Sequence, residues 1–213
     1  FAEDFAPSTQ TGQILFTEES TLTINSGVTL GSLTTQNRAH INTQADSSVT
    51  VNSGGTILSL NNAVQGADAT RLTVTNSGTI TSSAGNAVKT SAAATEITNS
   101  GTITGATDAL DLNGTISTVT NTGTLNGSTV DIDNNGAITT LINDQGGSDT
   151  LTYDGAVPTN YDVVLNSTSD FGKIDFSNES GSLSFGIDSS STLAANTYSS
   201  VLQNIEEGNI GNE

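Results

Sequence analysis

The chain has 213 residues and a mass of 21.6 kDa, the size of one domain or of one domain with an appended module. Four basic residues (Arg38, Arg71, Lys89 and Lys173) stand against 22 acidic ones, and the formal net charge of −18 repels phosphate backbones and anionic headgroups, which argues against nucleic-acid binding and electrostatic membrane docking. With no cysteine there is no disulfide framework, no thiolate metal site and no cysteine nucleophile.

Leu, Ile, Val and Phe make up 49 of the 213 residues, little above the roughly 20 % below which charged chains stay disordered. Pattern therefore has to specify the fold. No stretch approaches the roughly 18 consecutive apolar residues of a membrane helix, so direct membrane insertion is not expected. The chain opens at Phe1 without a basic-then-apolar leader, as in a mature product whose export signal has been removed or in an excised piece.

Residues 1–16 read as an N-terminal arm or cap, in which Phe1 and Phe5 are candidates for contact with another subunit. Residues 17–144 carry a recurring phrase of Asn, then Ser or Thr, then Gly, with an aliphatic residue soon after. It occurs at Asn25, Asn52, Asn76, Asn99 and Asn121, and more weakly at Asn134. Successive glycines (Gly27, Gly54, Gly78, Gly101, Gly123, Gly136) are 27, 24, 23, 22 and 13 residues apart, and the first four steps are a solenoid period. Short alternating runs such as Leu22-Thr23-Ile24, Val49-Thr50-Val51 and Leu72-Thr73-Val74 precede the phrases with the period of a half-buried strand. A further run, seen in Ala87-Val88-Lys89, Ala109 to Leu112 and Val130 to Asp133, gives about three strands per repeat. Gly and Asn fall at the corners, where positive φ is tolerated.

This pattern predicts an all-β, right-handed parallel β-helix of about 22–27 residues per turn. Ile80, Ile103 and Leu125 should stack in one apolar column and Leu72, Ile97 and Val119 in another. Asn76, Asn99 and Asn121 should form an amide ladder at a corner. Outward Thr and Ser keep the wall soluble. Residues 145–213 hold all three tyrosines and three of the six phenylalanines, and read as a C-terminal β module capping the open solenoid end.

Several residues invite a chemical reading. His40, the single histidine, is expected at an ordinary exposed position. Asp108, Asp111, Asp131 and Asp133 could line one face on adjacent turns with Lys89 one turn earlier, the arrangement that a β-helix polysaccharide lyase or hydrolase would need, with Asp111 and Asp131 as the carboxylate pair. Residues 17–150 contain no aromatic platform for a sugar, which weighs against catalysis. Gly146 to Leu151 is similar to half of a calcium-binding nonapeptide, making Asp144, Asp149 and Asp154 weak Ca²⁺ candidates against the competing reading of a plain turn.

The tandem stretches TNSGTITSSAGNAV, TNSGTITGATDALDL and TNTGTLNGSTVDI resemble the passenger domains of bacterial autotransporters, the type V secreted surface proteins. The stretch from Leu141 to Phe176, followed by Gly186 to Ile205, is similar to the region that closes such passengers before their membrane barrel. The resemblance implies display at the outer surface of a Gram-negative cell, in adhesion or aggregation. The expectation is a passenger-like protein that lacks the translocating barrel. The function expected is that of a non-enzymatic extracellular structural or adhesive protein whose Thr, Ser and Asn faces meet surface glycans or other copies. The alternative is a subunit of a head-to-tail filament, joined end to end or through Phe1 and Phe5.

Overall fold

A computed structural model describes residues 2–4, 12–34, 40–66, 71–91, 95–147 and 149–211. They form a β-solenoid of about 8 turns. The chain enters through β1 (Ala2–Asp4) and β2 (Ile14–Phe16). Three-sided turns follow: β3 (Ser20–Ile24), β4 (Thr29–Ser32) and β5 (Ile41–Thr43); β6 (Ser47–Val51), β7 (Thr56–Ser59) and β8 (Val64–Gly66); β9 (Leu72–Asn76), β10 (Thr79–Ser82) and β11 (Val88–Thr90). Next come β12 (Thr95–Asn99), β13 (Thr102–Gly105) and β14 (Asp108–Leu112), then β15 (Thr115–Asn121), β16 (Thr124–Gly127) and β17 (Val130–Asn134). Two-sided turns complete the chain: β18 (Ala137–Asn143) with β19 (Leu151–Ala156), β20 (Asn160–Val163) with β21 (Ile174–Ser180), and β22 (Leu183–Ile187) with β23 (Leu202–Gln203), before β24 (Ile210–Gly211). Stacking generates a ten-stranded sheet A (β1-β3-β6-β9-β12-β15-β18-β20-β22-β24), a five-stranded sheet B (β4-β7-β10-β13-β16) and a nine-stranded sheet C (β2-β5-β8-β11-β14-β17-β19-β21-β23).

Alternation decides which side chains face inward, and register decides what they meet. In sheet B, Leu30, Ile57, Ile80, Ile103 and Leu125 lie directly over one another and are all buried. The expected column through Ile80, Ile103 and Leu125 is present. In sheet A the column is Leu22, Val49, Val74, Ile97, Val119 and Leu141, so the member beneath Ile97 is Val74. Leu72, expected there, lies two residues earlier and pairs with Ser47. Both leucine and valine satisfy the alternation, and only pairing distinguishes them.

The next inward position of sheet A is where the amide ladder runs. Ile24 and Val51 begin this column, then Asn76, Asn99, Asn121 and Asn143 occupy it, all fully or almost fully buried. Asn76 Nδ2 donates to Asn99 Oδ1 at 2.8 Å, Asn99 to Asn121 at 2.9 Å and Asn121 to Asn143 at 3.3 Å. Each amide also serves a corner: Asn76 Nδ2 and Asn99 Nδ2 donate to the carbonyls of Thr102 and Thr124 at 3.1 Å. The glycines of the phrase have two different tasks. Gly27 and Gly54 sit at φ 78°. Gly78, Gly101 and Gly123 do not adopt positive φ; a Cβ on each would collide with the carbonyl oxygen of the glycine one turn below, Gly55, Gly78 and Gly101. At these corners the backbone approaches itself too closely for any side chain.

After β16, sheet B stops. The Gln145 amide takes the place of its next strand, receiving the Leu125 N–H at 2.7 Å and donating to the Leu125 carbonyl at 3.0 Å. Sheets A and C run on without a break, so the stretch from residue 145, expected as a C-terminal β module capping the solenoid end, carries strands of both sheets. Larger side chains then fill the section: the Leu141 column continues as Tyr161 and Phe185, and the Ile132 column as Tyr153 and Phe176, whose rings meet edge to face at 5.2 Å. The expected N-terminal arm likewise contains β1 and β2, already paired with β3 and β5. Phe1 and Phe5 lie outside the described residues.

His40, expected to be exposed, is fully buried, and neither ring nitrogen has a hydrogen-bond partner among the described residues. Its backbone N–H donates to the Asn62 carbonyl at 3.0 Å, which fixes the ring at the corner between sheets B and C beside Gly31. Burial holds the imidazole below its ordinary pKa of 6.5.

Ile103→Ala is expected to cost about 2–5 kcal/mol, and Asn99→Ala about 1–3 kcal/mol for each buried partner it strands, both read by urea denaturation. A histidine neutral in the fold but free to protonate when unfolded gives full stability above pH 6.5 and loses it as pH falls below that value. The melting temperature of His40→Leu is therefore expected to fall less than that of the wild type between about pH 7 and pH 5.

Candidate functional site

The outward face of sheet C collects the acidic residues. One register column contains Asn42, Gln65, Lys89, Asp111, Asp133 and Asp154 on successive turns. Asp108, at the start of β14, joins the cluster: the carboxylates of Asp133 and Asp111 and the Lys89 ammonium all act on it electrostatically. A groove of about 630 Å³ runs along this face, lined among others by Asp108, Asp133, Asp154, Asp175, Phe176 and Asn178.

Stacked like charges repel, and the chain answers with a donor for nearly every carboxylate. Asp111 receives the Lys89 ammonium and the amides of Asn86 and Asn113. Asp133 takes the Asn135 amide at 2.8 Å; Asp154 takes the Ser177 hydroxyl at 2.7 Å and the Asn178 amide at 2.6 Å; Asp175 takes the Asn204 amide at 2.6 Å. Two of these donors, Asn178 (φ 51°) and Asn204 (φ 54°), sit in the left-handed region. Asp108 is the least compensated: burial, then its neighbours Asp133 and Asp111, push its pKa up to about 6, against the pull of Lys89 and of one bond from the Val130 backbone. Burial, and secondarily Asp111, also raises Asp133.

Four of the five residues expected on one face, Asp108, Asp111, Asp133 and Lys89, are brought together. Asp131 is not among them. Register places Asp111 over Asp133, not Asp131. Asp131 instead accepts bonds from the backbone N–H of Gly127 at 2.9 Å and from the Thr152 N–H and hydroxyl at 2.8 and 2.9 Å. The Ca²⁺ candidates do not converge: Asp144 accepts the Asn166 amide at 2.7 Å, Asp154 belongs to the acidic column, and Asp149 closes a turn onto the Gly146 carbonyl at 3.1 Å. Among the described residues no three His, Asp or Glu side chains form a metal-holding group. Asp154 and Asp175 were not anticipated in the groove. The steps of 22 and 21 residues from Asp111 to Asp133 to Asp154 are the signal that places Asp154 there.

Sheets A and B present a different surface. Thr29, Thr56, Thr79, Thr102 and Thr124 form one outward column on sheet B. On sheet A, Thr23, Thr50, Thr75, Thr98 and Thr120 form another. Beside it, two residues earlier along each strand, run Thr21, Ser48, Thr73, Glu96 and Thr118. None of the hydroxyls in the two sheet A columns has a hydrogen-bond partner among the described residues, whereas serines and asparagines at the corners bond within the protein, as Ser100 does to Ser77 at 3.0 Å.

Comparison with protein-family models, with curated proteins and with solved structures finds no match.

The Asp108 environment makes a pH-dependent prediction. Its folded pKa of about 6 lies above the 3.8 of an ordinary aspartate, so the group penalises the fold above pH 6 and the penalty fades as pH falls from 6 towards 3.8. Asp108→Asn is expected to raise stability at neutral pH by on the order of 1 kcal/mol and to remove that part of the gain on acidification, both measured by chemical denaturation.

Proposed function

We propose that the chain is a non-enzymatic structural or adhesive solenoid, displayed outside the cell at a Gram-negative outer surface. The observation that carries this reading is the repetition of unbonded outward hydroxyls on successive turns, backed by a core column of fully buried aliphatic residues. Such a wall is stiff because every turn is hydrogen-bonded to its neighbours, and it offers the same contact at each step. The likeness of the repeat phrases to autotransporter passengers supports the location and the adhesive role. The tethering of the sheet C carboxylates supports a non-catalytic reading: Asp111 accepts bonds on both oxygens, and Asp133 and Asp154 each accept them on Oδ1. Beads carrying the purified protein are expected to be retained on glycan-coated surfaces above a charge-matched control. Equal retention would remove the adhesive role.

A second reading, the head-to-tail filament, is favoured by the two ends. Among the described residues both terminal turns contain only strands of sheets A and C, all parallel, so the last edges, β23 and β24, have the hydrogen-bonding sense that the first edges, β1 and β2, require. The C-terminal end also keeps an apolar cavity of about 410 Å³ lined by Leu165, Phe185, Ile187, Tyr198 and Leu202. Filaments in electron micrographs, lost in Ile187→Lys, are the expected result of this reading, and a strict monomer in concentrated solution excludes it.

A further inference from the structure

We infer that the outward face of sheet A binds crystalline water: it is an ice-binding surface whose contacts are the two hydroxyl columns of β3, β6, β9, β12 and β15. The inference goes beyond the adhesive and filament readings and does not rest on either.

Three observations converge on it. The first is a two-dimensional mesh. Side chains in register on neighbouring turns are about 4.8 Å apart, and outward positions on one strand are two residues, or about 6.6 Å, apart. Thr21 with Thr23, Ser48 with Thr50, Thr73 with Thr75 and Thr118 with Thr120 occupy both sites of that mesh on four strands, and Thr98 occupies one site on the fifth. Oxygen atoms on the prism and basal faces of hexagonal ice repeat on a mesh of closely similar dimensions.

The second observation is that these hydroxyls have no partner within the described protein, and every threonine of the inner column is half-exposed. A hydroxyl bonds water as water does, as donor and acceptor. Rows of them held at fixed spacing localise bridging waters in lattice positions at small entropic cost, because the backbone ladder has already immobilised the row. The threonine methyl groups fill the space between and compete for no hydrogen bond. They leave the waters around them bonded to one another.

The third is what the face lacks. In a chain of net charge −18, Glu96 is the single charge among these ten positions. Charged groups orient water around themselves and oppose the lattice, so a surface for ice has to be cleared of them. The cleared strip is the two hydroxyl columns themselves: Glu19, Asp46 and Arg71 border it on one side, in a groove with Thr21, Ser48 and Thr73, while Asp108, Asp111 and Asp133 lie on sheet C. None of the ten positions is aromatic, which disfavours a crystalline polysaccharide as the occupant, since sugar rings are held by stacking on such platforms.

Glu96 makes the test two-sided. The full chain is mixed with slowly growing polycrystalline ice, and its partition into the ice and its effect on recrystallisation are compared with those of a non-binding protein of similar size and charge. The wild type is expected to enrich in the ice. Thr98→Tyr, which sets a ring on the mesh, is expected to lose that enrichment at unchanged circular dichroism and melting temperature. Glu96→Thr, which completes the mesh, is expected to increase it, a gain that misfolding cannot produce. Exclusion of the wild type from ice to the same extent as the control protein overturns the inference. So does a partition that Thr98→Tyr and Glu96→Thr both leave unchanged. A sedimenting dimer broken by Thr98→Tyr, or retention on cellulose or chitin lost in that variant without any partition into ice, would assign the face to a second copy or to a glycan and likewise overturn it. Bead retention on glycan-coated surfaces is a separate readout, so failure in ice leaves the adhesive reading to be judged on its own assay.

Discussion

The interaction on which everything else depends is the parallel pairing of each strand with the strand one turn away. It sets equivalent residues, 19 to 28 positions apart in the chain, directly over one another, and so converts a sequence repeat into columns of like side chains. Aliphatic columns become the core, asparagine columns become a chain of amide bonds, and outward threonine columns become a regular wall. The same rule makes errors expensive. A substitution at Asn99 leaves unpaired groups both above and below, because its amide serves Asn76, Asn121 and the Thr124 carbonyl. The solenoid is therefore held in register by polar side chains as much as by its thin apolar interior, which explains how a chain with so few large apolar residues folds.

Much of this was legible in the sequence because the phrase Asn-Ser-Gly ties a side-chain requirement to a backbone requirement at one position. The amide must reach its copy one turn away, and the glycine must let two backbones touch, so the spacing of the phrase is the spacing of the turns. What the sequence does not display is register within a repeat. Leu72 and Val74 both satisfy the alternation, and only the pairing of Val51 with Asn76 shows that Val74 joins the Ile97 column. The same ambiguity misassigned Asp131, whose distance of 20 residues from Asp111 is near the period but short of the 22 that the pairing uses. His40 was hidden for another reason. It lies beside a glycine, Gly31, that clears space for its ring, and a void of that kind leaves no trace in a hydropathy pattern.

The acidic column shows how a repeat tolerates what would otherwise oppose it. Stacking that helps asparagine harms aspartate, since carboxylates one turn apart can only repel. Each is relieved by a nearby donor: Asn113 and Asn135, two residues after Asp111 and Asp133, come from the loops, and Ser177 and Asn178, one turn beyond Asp154, come from β21. The i to i+2 position of the two asparagines is a local device that can be copied with the repeat. Where it is missing, at Asp108, the cost appears as a carboxyl that holds its proton almost to neutral pH.

The side chain of Gln145 has a consequence for how such proteins change size. By imitating a peptide group against Leu125, it ends one wall of the triangular prism while the other two continue, so the transition from three sides to two is made by a single residue and not by a separate structure. Turns touch only their immediate neighbours. A duplicated 22-residue unit inserted between Asn99 and Asn121 would meet the same stopper at its far end, and the rod would lengthen by about 4.8 Å with its tapered tip unaltered. Length is thereby an independently adjustable quantity, open to gene duplication without redesign of either extremity.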